Sequence, residues 1–199
     1  MTSPAGQPLQ PDFDHPLVRA LDAAGEHLAA RFRGRPRVDR AMYALSQAGK
    51  HSLLWHSINA VDALVGGEAG RRRALRRSLI LGCEQAVVNG PVKAMFRRGR
   101  PGHVTDHPHD LRTPRTSSFP SGHASAGACA ATLLSADLGW SPVWFTLAGA
   151  VAWSRVHVGA HHPSDVAAGF VAGRSFSRLA GALWRPGRRG VVVVRTTTK

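Results

Sequence analysis

Tyrosine occurs once in these 199 residues, cysteine twice and acidic side chains only 12 times. No unbroken apolar run is long enough to announce a membrane span by itself. The single tyrosine leaves little aromatic surface to interleave with basic residues, so selective binding of unpaired bases is not expected and no nucleic-acid partner is assigned. Cys83 and Cys129 sit in separate apolar segments without partner spacing; they read as small core residues, and neither a disulfide framework nor a zinc site is indicated. The N-terminus lacks a basic start followed by an apolar run, so no cleavable signal peptide is expected.

Positive charge is abundant. Lys and Arg number 26 against the 12 acids, a formal charge of +14. Nearly all of it is arginine, which favours planar, bidentate contacts to phosphate or carboxylate. Anionic lipid headgroups, phosphorylated small molecules and nucleic acid are the partner classes that this charge admits. A hydrophobic content of 43% is enough for the core of one domain.

The periodicity predicts helices throughout. Residues 1–15 are polar and rich in proline. From Leu17 to Phe32 the apolar positions recur at helical spacing, giving an amphipathic helix that lies on a membrane surface or on the bundle. Residues 1–36 form an N-terminal extension on this reading, 37–184 the bundle and 185–199 a basic tail. Within the bundle, helices are predicted over Arg40 to Val65, Ala74 to Phe96, Phe119 to Leu138, Pro142 to Val156 and Pro163 to Trp184. Gly66-Gly67 is read as a stop, and the arginines between 71 and 77 as an interfacial anchor. The fold class is therefore all-α, a bundle of about five to six helices with no strand.

Mean hydropathy is -0.15, so hydropathy alone does not decide whether these helices cross a membrane. The last helix carries Gly169, Gly173, Ser177 and Gly181 every fourth residue, and the fourth is rich in Gly and Ala, which suits close helix approach in lipid. The expectation is a multi-pass protein of the cell membrane, with a tightly packed soluble bundle as the alternative. Arginine flanks both ends of the bundle, so orientation stays open. Glu84, Gln85 and Asn89 are expected to face inward, with His56, Asn59 and Asp62 as candidate partners.

Three clusters carry the chemistry. Ser154 to Asp165 holds Arg155, His161 and Asp165, with Pro163 placed to open a helix. Asp165 then lies four residues after His161, close enough to accept from one ring nitrogen and leave the other as a nucleophile. Lys93, separated by six residues from Arg100-Pro101, lets an ammonium and a guanidinium point at one anion. Pro120-Ser121-Gly122-His123 precedes a helix, where free backbone N–H groups, the Ser121 hydroxyl and close approach at Gly122 favour an anion, and His123 adds a titratable group. Together they suit a tetrahedral oxyanion without a metal. Taken singly, each residue has a duller explanation as a cap or surface group.

Lys93-x6-Arg100-Pro101, Pro120-Ser121-Gly122-His123 and Ser154-Arg155-x5-His161-x3-Asp165 together resemble the three-part signature of the type 2 phosphatidic acid phosphatase superfamily. The motifs span 93–165, and the interval from His123 to Ser154 is short for the family. The resemblance implies a bundle with its active site at one end, hydrolysing a lipid phosphomonoester or pyrophosphate of the phosphatidate or polyprenyl class. His161 would attack phosphorus, Asp165 would fix its tautomer, and His123 would protonate the leaving oxygen and then activate water. Lys93, Arg100, Ser121, Gly122 and Arg155 would bind the phosphoryl oxygens. No metal or cofactor is implied. Vanadium-dependent haloperoxidase, soluble acid phosphatase and a non-enzymatic basic membrane or nucleic-acid binder are the alternatives. His103, Asp106, His107, His109 and Asp110 read as a polar lid, Arg97 and Arg98 as interfacial charges, and His157 and His162 as neighbours of the nucleophile.

Overall fold

The computed structural model describes residues 13–101 and 116–184. The proposed lid of 103–110 and the basic tail of 185–199 lie outside them. Among the described residues the chain is wholly helical: α1 (Pro16–Ala30), α2 (Pro36–Ala48), α3 (Leu53–Val65), α4 (Gly67–Val87), α5 (Gly122–Leu138), α6 (Ser141–His157) and α7 (Pro163–Leu183).

Two boundaries differ from the sequence reading. The expected helix of 40–65 is broken into α2 and α3 by a short turn at Lys50–Ser52, where His51 and Ser52 take left-handed backbone angles of φ 50° and 58°. Helical periodicity continues across this break, which is why it is invisible in the sequence. The run of arginines at 71–77 is not a flank but part of α4. Gly70, Ala74, Arg77, Leu81 and Glu84 are all buried on it, a stripe at steps of three and four residues that faces the bundle.

Arg77 is 1% exposed, and a buried guanidinium requires partners. It pairs with Asp62 on α3 and, at 3.1 Å, with Asp137 at the end of α5, and its Nε donates to Asn59 at 2.8 Å. Arg73 also binds Asp62, at 2.7 Å, and Arg76 binds Asp137 at 2.5 Å. These residues tie α3, α4 and α5 together instead of forming an interfacial anchor. Asn59 and Asp62 are thus engaged here, while Glu84 is bonded by Ser125 and by Gln85 Nε2 at 2.7 Å.

Helix α5 is central: eleven of its seventeen residues are buried, mostly alanine and other small side chains. Trp55, Ile80, Leu81 and Val151 from neighbouring helices pack around it. Cys129 is in this core, but Cys83 is exposed, because it lies off the buried stripe of α4. Small residues let α7 approach α5 very closely. A Cβ on Gly169 would lie 2.4 Å from the Ser121 carbonyl oxygen, and one on Gly173 only 1.9 Å from that of Ser125. Gly181, one step further along the same stripe, meets nothing within 4 Å.

Large apolar side chains point outward on several helices, among them Leu64 and Val65 on α3, Leu75 and Leu79 on α4, and Val171, Leu179 and Leu183 on α7. Among the described residues no helix is long and apolar enough to cross a membrane. Helix α1 packs on α6 and α7 with its apolar Leu17, Leu21 and Leu28 exposed.

Gly173→Ala places a methyl group against backbone that cannot swing aside. It is expected to destabilise the fold by about 1–3 kcal/mol, lowering the thermal midpoint by several degrees, whereas Gly181→Ala leaves the midpoint within about a degree or raises it. Thermal unfolding of both variants checks this.

Candidate active site

Where α5 begins, α6 ends and α7 begins, the three sequence clusters meet. Helix α7 opens as its sequence predicts: His162 is the N-cap in extended conformation, Pro163 follows, and Asp165 at the third position closes a capping box, its Oδ2 accepting the His162 N–H at 2.9 Å. Asp165 is fully buried. Its other oxygen takes the guanidinium of Arg98 at 2.5 Å.

The start of α5 differs from expectation. The helix begins at Gly122, not Phe119, because Ser121 takes the extended N-cap angles of φ −72° and ψ 113°. The Ser121 N–H is then free to donate to the Asp165 carbonyl at 3.0 Å, which locks the start of α5 to the start of α7. The N–H groups of the first turn of α5 have no partner within their own helix.

His161 lies in the loop between α6 and α7 and is 2% exposed. Its Nδ1 is 2.7 Å from the Ser118 carbonyl, which can only accept, so Nδ1 carries the hydrogen. Nε2 is consequently the free lone pair, and Arg100 Nη1 donates to it at 3.3 Å. The sequence reading assigns no particular nitrogen and makes Asp165 the acceptor; here the acceptor is the Ser118 carbonyl. Asp165 Oδ2 stands 3.7 Å from Nδ1 and acts on the ring through charge, because both carboxylate oxygens already serve other donors. Burial lowers the His161 pKa to about 4; Asp165 opposes that shift, and the Arg100 and Arg155 charges add to it. The ring is neutral at physiological pH.

A cleft of about 400 Å³ opens in front of this nitrogen. Lys93, Arg100, Gly122, His123, Arg155 and His161 all line it, so six of the eight site residues expected from the sequence share one cavity. Ser121 and Asp165 are buried beside it. Lys93 arrives on the last turn beyond α4, after a widened π-helical turn at Val88–Val92 that accommodates Pro91. Burial lowers its pKa to about 8, helped by the neighbouring Arg100 and Arg155 and opposed by Asp165. Burial likewise lowers the Arg100 pKa.

Both arginines are held from behind. Arg100 Nη1 donates to the Ala160 carbonyl at 2.7 Å, and Arg155 donates to the Ser46 hydroxyl on α2. The buried Nε atoms of Arg100 and Arg155, and the Ser121 hydroxyl, have no hydrogen-bond partner among the described residues. His123 Nε2 faces the Ser46 carbonyl at 3.2 Å. Gly49, at the broken junction of α2 and α3, fits beneath that ring, since a Cβ there would lie 2.7 Å from His123 Cδ2. Lys50, His51, Gln85 and Asn89 complete the cleft wall.

Several contributors carry no sequence signal. Ser46, Gly49 and Lys50 belong to no motif; Ser46 on α2 holds Arg155 and faces His123, while Gly49 and Lys50 line the cleft at the helix break. Arg98 is buried and pairs with Asp165 and with Asp22 of α1, where the sequence suggests an interfacial charge. His157 is buried and bonded through Nε2 to Asp39 at 2.7 Å, behind the site. Among the described residues no cluster of His, Cys, Asp and Glu has the makings of a metal site.

Residues 75–186 match the family model described as the PAP2 superfamily. The chain is 36% identical over 154 residues to the decaprenylphosphoryl-5-phosphoribose phosphatase of Mycolicibacterium smegmatis, an alignment that covers 76% of this chain and 82% of the relative. It is 34% identical over 117 residues to the undecaprenyl-diphosphatase of Sulfolobus acidocaldarius, covering 55% of each. Among solved structures, its fold is similar to that of a transmembrane PAP2-type phosphatidylglycerolphosphate phosphatase from Bacillus subtilis, with a TM-score of 0.66, 24% identity, and coverage of 89% of this chain and 92% of that one.

In ¹⁵N spectra of the imidazole, His161 is expected as the Nδ1–H tautomer at pH 7. Imidazolium should appear only as pH falls towards about 4. An imidazolium signal at pH 7 would contradict the geometry.

Proposed function

The chain belongs to the PAP2 superfamily, and we propose that within it this protein is a membrane-associated lipid phosphatase working through a phosphohistidine on His161. The observation that carries the proposal is the convergence of a neutral, oriented imidazole with Lys93, Arg100 and Arg155 on one cleft. Such a site attracts a phosphate dianion before reaction and stabilises the charge of its transition state. The substrate class is a phosphomonoester on a lipid, with a polyprenyl-phosphoryl sugar phosphate first. That choice rests on the alignment with the decaprenylphosphoryl-5-phosphoribose phosphatase over most of both chains.

In the first step Nε2 of His161 attacks phosphorus and the bond to the leaving oxygen breaks. Burial and the Arg155 charge hold the His123 pKa well below its ordinary value in the free site; the bound phosphate dianion counters them, so His123 enters the step as imidazolium and gives the leaving oxygen its proton. The imidazole now carries the phosphoryl group on Nε2 and its hydrogen on Nδ1, and so it is cationic; the buried Asp165 carboxylate opposes that charge. In the second step His123 takes a proton from water, the resulting oxygen attacks phosphorus, and the nitrogen–phosphorus bond breaks to release inorganic phosphate. Lys93, Arg100, Arg155, the Ser121 hydroxyl and the first-turn N–H groups of α5 bind the non-bridging oxygens. The unpartnered polar atoms of Ser121, Arg100 and Arg155 support this assignment. Every role is given to a side chain or backbone group, so turnover in EDTA is expected.

Membrane association is supported by outward apolar residues on α3, α4 and α7 and by the fold likeness to a transmembrane phosphatase. A lipid tail would then remain in the bilayer while its headgroup enters the cleft.

Phosphate release from decaprenylphosphoryl-5-phosphoribose, a polyprenyl diphosphate, phosphatidate and a soluble aryl phosphate, measured in detergent with EDTA, tests the proposal. His161→Ala should abolish release, and Arg155→Ala should lower kcat by about 10²–10³-fold. Wild-type activity against the aryl phosphate alone, or turnover surviving His161→Ala, would overturn it. A second test uses Lys93, which binds the phosphoryl group only when protonated. Wild-type kcat/KM should therefore fall as pH rises through about 8, and Lys93→Arg, which stays charged, should remove that alkaline limb.

A further inference from the structure

Helix α1 meets the bundle through its polar side. Asp22 Oδ1 accepts the Ser164 N–H at 2.8 Å, in the first turn of α7, and its Oδ2 accepts the Ser164 hydroxyl at 3.0 Å. The same Oδ2 pairs with Arg98 at 2.5 Å. Arg98, 8% exposed, places its other terminal nitrogen on Asp165 at 2.5 Å and on Ser164 Oγ at 2.7 Å. A line of charge thus runs from α1 to the nucleophile: carboxylate, guanidinium, carboxylate, imidazole. Helix α1 is fitted closely here, since a Cβ on Gly25 would lie 2.4 Å from the Pro163 ring. Its far end is clamped by Arg33, which donates to the Val156 and His157 carbonyls at 2.7 Å each. Asp22 lies in none of the three motifs, and Arg98 stands at one of the unspecified positions between Lys93 and Arg100.

We propose that α1 is a working part of the active site, in which Asp22 and Arg98 act as positioning residues that hold Asp165 and set the charge it presents to His161. The inference rests on His161 being the phosphoryl acceptor. Asp165 must oppose the cationic phosphoimidazole, yet must not pull the ring away from Ser118. Arg98 satisfies one Asp165 oxygen and keeps the carboxylate aligned along α7. Asp22 divides the Arg98 charge between two carboxylates, so that Asp165 retains enough negative character to act on the ring. Around the His161–Asp165 pair the other charged or titratable groups are Arg100, Arg155, His123, Lys93 and His162, and of these His162 alone also feels the charge of Asp22 and Arg98.

Removing either member of the pair should have a distinct sign. In Arg98→Met the Asp165 carboxylate is unopposed and favours imidazolium, so the titration midpoint of His161 rises. In Asp22→Asn the full Arg98 charge falls on Asp165, which then favours imidazolium less, and the midpoint drops. A general loosening of the fold lets water reach the ring and moves both midpoints the same way, upward.

The test uses the full chain, with Asp22→Asn, Arg98→Met and Arg98→Lys compared by steady-state kinetics and by ¹⁵N titration of the His161 ring. Expected are a fall in kcat of about tenfold or more for Asp22→Asn and Arg98→Met with KM within about twofold, by analogy with outer-shell partners elsewhere. Opposite midpoint shifts should accompany it, and Arg98→Lys should retain most of kcat. If Arg98→Met does not fold, Asp22→Asn and Arg98→Lys still decide, through the downward midpoint and the retained kcat. An Asp22→Asn kcat within twofold of wild type, or midpoints moving in one direction, overturns the inference while an active wild type and an inert His161→Ala leave the phosphatase reading standing. Turnover surviving His161→Ala would end both.

Discussion

Gly169 and Gly173 allow α7 to lie against the backbone of α5 with no side chain between them. That contact puts the Ser121 N–H on the Asp165 carbonyl at 3.0 Å and so fixes two of the three motifs relative to each other. The N-terminus of α5 at the cleft, the capping box of α7 and the buried carboxylate behind His161 all follow from this one approach. Helix α6 then needs only to end beside them to deliver Arg155 and, four residues into the loop that follows, His161. A stripe of small residues that resembles general helix packing is, in this chain, the device that assembles the chemistry.

The site so built is electrostatically one-sided. Lys93, Arg100 and Arg155 crowd a neutral imidazole, and their mutual repulsion is eased by the buried carboxylate of Asp165. Without a bound anion the arrangement is costly, since cations at close range in a partly dry cleft repel and lose hydration. On the proposed function, the free energy of that arrangement is released when a phosphate dianion enters, which is how a cleft can favour the more highly charged transition state over the substrate. Arg100 illustrates the point. Its Nη1 rests on the lone pair of His161 Nε2 at 3.3 Å, and in the proposed reaction it turns to the phosphoryl oxygens as substrate approaches.

The sequence was legible where the chemistry is local. His161, Pro163 and Asp165 lie within one turn, and the Pro120 to His123 run announces a helix start, so spacing alone placed them. The all-helical class followed from periodicity. What escaped was set by tertiary contact. The break at His51 and Ser52 lies within an uninterrupted helical pattern, and it is the tertiary structure that sets Gly49 beneath His123 there. The arginines of α4 look like a surface cluster until Asp62 and Asp137, 15 and 60 residues away in the chain, are seen to receive Arg77. Arg98 and Asp22 are separated by 76 residues, and no local pattern links them.

The central claim is that His161 becomes phosphorylated during turnover. Its most direct measurement is rapid acid-free quenching of the full-length protein with a ³²P-labelled lipid phosphomonoester, followed by digestion and mass spectrometry of the peptide that contains His161. The account predicts an acid-labile phosphoryl group on the His161 imidazole that forms and decays at rates no slower than kcat. Turnover with no label on that residue, or label on His123 instead, would contradict it.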